Sequence, residues 1–136
     1  MDDKALPSRH QFPMVIERTI QLVGGKIPRE KIRQVGQVFQ TLCWDFKDYA
    51  IQAYFLVDGD GRVDYASTVS TAPDATITLD ARVLHDSAFG RTSLGLAFIT
   101  GKLRVKGIPA LKLNKFMPLL EPFLESYRQA WEKFHG

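Results

Sequence analysis

Residues 48–80, DYAIQAYFLVDGDGRVDYASTVSTAPDATITLD, read as three successive strands. Tyr49, Ile51, Ala53, Phe55 and Val57 fall on one face at a period of two. Gln52, Tyr54 and Leu56 fall on the other, so that face is partly covered. Asp58-Gly59-Asp60-Gly61 is a tight-turn signal. The return run places Val63, Tyr65, Ser67 and Val69 on one side and Arg62, Asp64 and Thr68 on the other. Ala72-Pro73-Asp74 turns the chain again. Ala75, Ile77 and Leu79 then alternate with Thr76, Thr78 and Asp80. Three runs joined by short links make an antiparallel meander.

Helical spacing flanks this stretch. Upstream, Val15, Ile16, Ile20, Leu22 and Val23 predict a short helix from Met14 to Val23, stopped by Gly24-Gly25. Pro28 suits the opening turn of a second helix. Its apolar positions, Ile32, Val35, Val38, Phe39 and Leu42, recur at three and four residues. Downstream, Ala81, Leu84 and Ala88 predict a helix that Gly90 ends, and Thr92 to Ile99 a further short helical stretch. Lys102-Leu103-Arg104-Val105-Lys106 alternates as a strand, with two apolar residues inward and three cations outward. Pro109 can open another helix. Positions 116, 120, 123, 127, 131 and 134 form an apolar helical stripe. Pro118 and Pro122 bend that stripe near Leu120–Glu121, since a proline inside a helix costs about 3 kcal/mol. Residues 1–13, with Pro7 and Pro13, are predicted as an N-terminal arm, and residues 14–136 as a single domain.

The chain has 136 residues, 45% of them apolar and 24% charged. That length and balance suit one globular domain with a core of its own. The lone cysteine, Cys43, can form no internal disulfide and reads as a small buried hydrophobe. The N-terminus opens acidic, with no apolar signal core, and no stretch reaches the roughly 18 apolar residues of a membrane span. A cytoplasmic location is expected. The net charge of +3 suits anionic lipid surfaces, acyl-coenzyme A phosphates or nucleic acid without choosing among them.

Catalytic and metal motifs find little support. Asp58-Gly59-Asp60-Gly61 begins like a calcium loop, but Val69 stands at its twelfth position, where a bidentate Glu is needed. Gly24-Gly25-Lys26 lacks phosphate-loop spacing. His10, His85 and His135 lie in different elements, so no metal set converges. His85-Asp86-Ser87 cannot form a triad because neighbours on a helix point apart; an exposed helix face is expected for His85 and Asp86. Lys102, Arg104 and Lys106, with Lys112 and Lys115, could meet phosphates, but aromatics do not interleave with them, and no nucleic-acid binding is expected. Neither metal nor cofactor is expected.

Leu96-Ala97-Phe98-Ile99-Thr100-Gly101-Lys102-Leu103-Arg104-Val105-Lys106-Gly107 resembles the signature of the sterol carrier protein type 2 family. Asp74-Ala75-Thr76-Ile77-Thr78-Leu79 resembles the strand before that family's middle helices. The order of elements matches over roughly residues 28 to 120. Here Gly107 is followed by Ile108-Pro109, where the family often has Gly-Asp. The resemblance implies an α+β fold: a mostly antiparallel sheet of about five strands covered by helices, with an apolar tunnel between them. Four strands are placed; the fifth is expected within Arg91–Leu96 or at a terminus.

The resemblance also implies non-enzymatic binding or transfer of a sterol, fatty acid, fatty acyl-coenzyme A or isoprenoid lipid. Phe55, Val57, Phe89, Leu94, Phe98, Phe116, Leu120, Phe123 and Tyr127 are candidates to line the tunnel, or else to fill a solid core. Two alternatives keep the same residues. In one, the C-terminal aromatic stripe packs on a partner or a second copy. In the other, the chain presents a lipid-like substrate, such as a quinone precursor, to an enzyme. The expected partners are a hydrophobic small molecule, an anionic membrane surface and a homodimer mate.

Overall fold

Thr41–Phe46 (β1) is the central strand of the sheet, where helical spacing predicts the end of a helix. The computed structural model describes residues 5–135, with backbone alone for 110, 114 and 135. The first four residues of the predicted arm, and Gly136, lie outside the described residues. The missing fifth strand is therefore β1, and Arg91–Leu96 instead forms a bend and the start of a helix. The reason is burial. Leu42, Cys43, Trp44 and Phe46 are all buried, so the strand shows little of the alternation that marks a half-exposed one. Its first apolar residue also falls in step with Val35 and Phe39, which extends the helical pattern artificially.

The sheet has the order β3-β2-β1-β4-β5. The strands after β1 are Ile51–Val57 (β2), Val63–Ala66 (β3), Ala75–Leu79 (β4) and Arg104–Lys106 (β5). Three of the four pairings are antiparallel; β1 and β4 run parallel, with Leu42 opposite Ala75 and Phe46 opposite Leu79. The predicted meander through β2, β3 and β4 is thus corrected: β3 is an edge strand, the antiparallel run is β1-β2-β3, and the chain crosses back to lay β4 beside β1. The β2–β3 turn falls at Asp58–Gly61 as the sequence predicts, and Asp58 Oδ1 accepts from the backbone N–H of Asp60 and of Arg62, both at 2.9 Å. Those bonds hold its carboxyl below the usual range.

One face of the sheet carries Leu42, Trp44, Phe46, Ala53, Phe55, Val57, Ile77 and Leu79, all buried. Helices cover it: Phe12–Lys26 (α1), Arg29–Gly36 (α2), Ala81–Ala88 (α3), Leu94–Ile99 (α4), Leu113–Phe116 (α5) and Leu120–His135 (α6). The fold is α+β, as expected. On the opposite face Cys43 is shielded beside Tyr54, its cross-strand partner. Burial pushes the Cys43 thiol up, and Asp45 adds to the effect, so the residue is an unreactive hydrophobe.

Several helix boundaries differ from their predictions; α1 begins at Phe12, inside the predicted arm, and α4 at Leu94. Gly24-Gly25 does not stop α1, which runs to Lys26. A β-carbon at Gly24 would stand 3.2 Å from Val63 Cβ, so this glycine admits β3 against the helix rather than ending it. The predicted corner in the C-terminal stripe is a single 3-10 turn, Met117–Leu119, between α5 and α6. Pro118 sits in that turn. Pro122 sits in the first turn of α6, where its missing N–H would have had no partner.

Candidate functional site

At the β4–β5 end of the sheet, two short helices stand over the apolar face. α4 begins at Ser93, whose Oγ accepts from Leu96 N at 3.0 Å, and ends where Gly101 turns at φ +80°. The chain then runs through β5 to Gly107, at φ +89°. A β-carbon on Gly107 would press into the Asp74 carbonyl oxygen at the start of β4. Both glycines thus do conformational work that an L side chain performs poorly. Between them Leu103 is buried and Val105 half-buried, while Lys102, Arg104 and Lys106 are exposed.

The helices and the sheet enclose an apolar cavity of about 250 Å³. Trp44, Ile77 and Val105 form its floor; α4 contributes Leu94 and Phe98, and α5 with the turn after it Phe116 and Met117. Leu120 closes the inner end. Phe98 and Met117 line the cavity yet remain about half exposed, at 49% and 54%, which locates the mouth between α4 and the Met117 turn. Behind it lies a void of about 10 Å³ touched by Phe55 and Phe123. Trp44, Phe116 and Leu120 border both spaces. The Trp44 indole N–H is buried and, among the described residues, has no hydrogen-bond partner.

Of the nine predicted lining residues, Leu94, Phe98, Phe116 and Leu120 surround the cavity, and Phe55 and Phe123 the void behind it. Val57 packs at the far edge of the sheet against Gly36. Phe89 and Tyr127 belong to an aromatic cluster at the other end of α6. There the Tyr127 hydroxyl lies 2.8 Å from His85 Nδ1, and the Phe89 ring centroid is 4.9 Å from that of His85 and 5.2 Å from that of Trp131. His85 is fully buried, contrary to the exposed face predicted for it. It shares the inward face of α3 with Ala81, Leu84 and Ala88, at i, i+3, i+4 and i+7. Desolvation holds the Tyr127 hydroxyl far above the usual phenol range.

Trp44, Gly95, Leu113 and Met117 line the cavity without having been legible as lining residues. Trp44 was hidden with its strand. An outward reading of Gly95 and Met117 follows from their exposure, and no spacing signal separates a rim from a surface.

A larger depression of about 530 Å³ is lined by α3, α4, the end of β4 and the start of β5. Lys47, Arg82, Lys102 and Arg104 face it, with Asp80 and Asp86. Charged and polar groups make up much of its lining, whereas that of the smaller cavity is almost wholly apolar, and an apolar molecule gains by leaving water for apolar walls. The smaller cavity is therefore the candidate site for such a molecule. Among the described residues, no group of three or more His, Cys, Asp or Glu is placed to hold a metal ion. Among them too, no helix is long and apolar enough to cross a membrane.

Residues 20–121 match the SCP-2 sterol transfer family. Among solved structures, the fold is similar to a UbiJ-SCP2 ubiquinone synthesis protein, at 18% identity over 88% of this chain and 96% of that one, with a TM-score of 0.58. It is also similar to the apo form of sterol carrier protein 2 from Yarrowia lipolytica, at 17% identity, 88% and 98% coverage and a TM-score of 0.57. A third likeness is to the sec-alkylsulfatase Pisa1 from Pseudomonas sp., at 22% identity over 71% of this chain, with a TM-score of 0.52; the match spans 14% of that enzyme. Among curated proteins, none matches the sequence.

Proposed function

The chain belongs to the SCP-2 sterol transfer family, and from that premise we propose that it is a non-enzymatic carrier whose cavity between sheet and helices holds the tail of a sterol, fatty acid, fatty acyl-coenzyme A or isoprenoid lipid. Family membership carries lipid binding or transfer in general. The observation that supports this site is the cavity, whose walls are apolar from sheet floor to helical lid. Each methylene moved into such walls contributes about 0.8 kcal/mol.

In this reading Leu94, Phe98, Phe116 and Leu120 contact the tail directly. Phe116 and Leu120 separate the cavity from the void beside Phe55 and Phe123. Their displacement by a longer tail would join the two spaces into a tunnel. Residues 14–136 act as one unit in this scheme, with the N-terminal arm laid over it: Trp131 Nε1 donates to the Ala5 carbonyl and the Tyr49 hydroxyl to that of Pro7. Among the described residues the buried Trp44 N–H has no partner, so a tail whose acceptor reached it past the cavity wall would relieve a cost of about 1–3 kcal/mol. A quinone precursor presented to an enzyme carries such an acceptor and differs in its partner rather than in the cavity. Packing of the C-terminal stripe on another protein draws less support, since Phe123, Tyr127 and Trp131 face inward.

Displacement of a fluorescent fatty acid tests the site, with native mass spectrometry before and after organic extraction. Gly95→Phe is the decisive variant. No atom lies within 4 Å of a β-carbon at Gly95, and replacing a helical glycine does not strain the backbone. The new ring would occupy the mouth. Retained thermal stability with at least ~10-fold weaker binding is the expected result; unchanged binding would move the ligand elsewhere, and absence of any bound lipid would end the carrier reading. Trp44→Phe should weaken a carbonyl-bearing probe more than a hydrocarbon of equal size, by about five-fold or more for one lost hydrogen bond.

A further inference from the structure

The mouth of the cavity is built from an unusual part of the chain. Between Ser87 and Leu120 lie six lysines and arginines and no aspartate or glutamate. Of the chain's 18 basic residues, 12 remain outside this stretch, against all 15 carboxylates. The modest overall charge thus conceals a segregation: this quarter of the chain is strongly cationic and the remainder is slightly anionic. Arg91 pairs with Asp86 at 3.2 Å. Among the described residues, no ion pair engages Lys102, Arg104, Lys106, Lys112 or Lys115.

The same stretch holds five of the seven large hydrophobic side chains left exposed among the described residues: Leu96, Phe98, Ile99, Leu111 and Met117. Ile99 and Leu111 are 81% and 93% exposed, and contribute nothing to the core. They stand on the two elements, α4 and the turn leading into α5, that flank the mouth. Of the other two exposed side chains, Met14, at 47%, lies on α1, whose Phe12, Val15, Ile16, Ile20 and Val23 are wholly buried.

We propose that the rim formed by α4 and residues 110–117 docks on an anionic lipid bilayer, with Leu96, Ile99 and Leu111 entering the interface and Lys112 and Lys115 meeting its phosphates. Apolar side chains partition into the boundary between head groups and acyl chains, and nearby cations strengthen the attachment to acidic lipids. An acidic protein would satisfy the cations but gives no account of isolated apolar side chains standing around an apolar opening. Docking in this orientation sets the mouth on the bilayer, so a tail can pass between membrane and cavity without crossing water. This last consequence rests on the carrier reading above; the docking itself does not.

The test is flotation of the full chain with vesicles of phosphatidylcholine, and with vesicles of phosphatidylcholine and phosphatidylglycerol in equal parts. Binding to the mixed vesicles, weak or absent binding to the neutral ones, and loss on raising salt are expected. Lys112→Glu with Lys115→Glu should weaken binding about 25-fold or more. Ile99→Asp with Leu111→Asp should abolish it, and both pairs are exposed enough to leave thermal unfolding unchanged. Lys31→Glu with Arg33→Glu, on exposed positions of α2, alters net charge equally and should change binding less than about three-fold in physiological salt. Equal loss in that control, or equal affinity for neutral vesicles, would overturn the proposal. So would self-association that the aspartate pair removes, without vesicle binding, since the rim would then seat a second copy. Fatty-acid displacement in vesicle-free solution separates the two readings: the rim variants should retain it, whereas its failure in the unaltered chain sinks the carrier and not the docking.

Discussion

The two ends of the C-terminal aromatic stripe are built from similar residues and do opposite things. At one end Tyr127 and Trp131 meet His85, Phe89 and Phe12, and the space is filled. At the other, Phe116 and Leu120 border a cavity. The difference lies in what stands opposite. α6 packs along α1, a helix of 15 residues, and across α3. Beyond Phe123, the walls that face Leu120 across the cavity are a six-residue helix and a three-residue strand, α4 and β5, which leave the gap unfilled. Aromatic content therefore does not decide between core and pocket; the length of the facing elements does.

The contrast is sharpest in substitutions that remove a ring. Tyr127→Ala is expected to cost about 3–5 kcal/mol, read as a large fall in the thermal midpoint, because it opens a void in filled space and removes the hydroxyl that meets His85. A loss below about 1 kcal/mol would mean that the closed end is loosely packed after all. Next in size is Gly107→Ala. It combines a left-handed backbone, worth about 1–2 kcal/mol, with a collision against the Asp74 carbonyl, so it should cost more than Gly101→Ala, whose β-carbon meets open space. Equal costs in urea unfolding would show that the β4–β5 contact yields freely.

Tyr127→Phe retains the ring and removes the hydroxyl that meets His85, for an expected cost of about 1–3 kcal/mol at neutral pH. Its pH dependence is a second readout. The folded protein holds this phenol protonated well above its ordinary range, so the associated stability is complete below about pH 10 and declines as pH rises further, when the unfolded chain ionises first. The alkaline decline should shrink in Tyr127→Phe; an identical decline would assign it to other groups. The smallest effect belongs to the open end. Phe98→Ala should change stability by less than about 1 kcal/mol, since half of its ring is already in water, while weakening fatty-acid binding.

Much of this was legible before the structure. The three strands of residues 48–80, the Asp58–Gly61 turn and the inward positions of β5 followed from period-two alternation, but the pairing of the third strand did not, because its true neighbour, β1, was read as helix. The Gly101–Gly107 spacing gave a family resemblance that the match over residues 20–121 supports. The hidden parts share a physical cause. β1 is buried on both faces and so carries little alternation. His85 looks polar in one dimension, but falls on the buried face of α3. Lining residues separate from core residues only by whether the opposite wall arrives, and that is a property of tertiary distance. Phe98 and Tyr127 therefore looked equivalent in the sequence.

β5 has three residues, one neighbour and no strand beyond it. An edge so short holds its amides with few cooperating bonds, so it should exchange hydrogen for deuterium well before β1, which is paired on both sides. The cavity wall can then unzip as a local unit while the aromatic end stays folded, so cargo too bulky for the mouth would exchange no faster than that fraying.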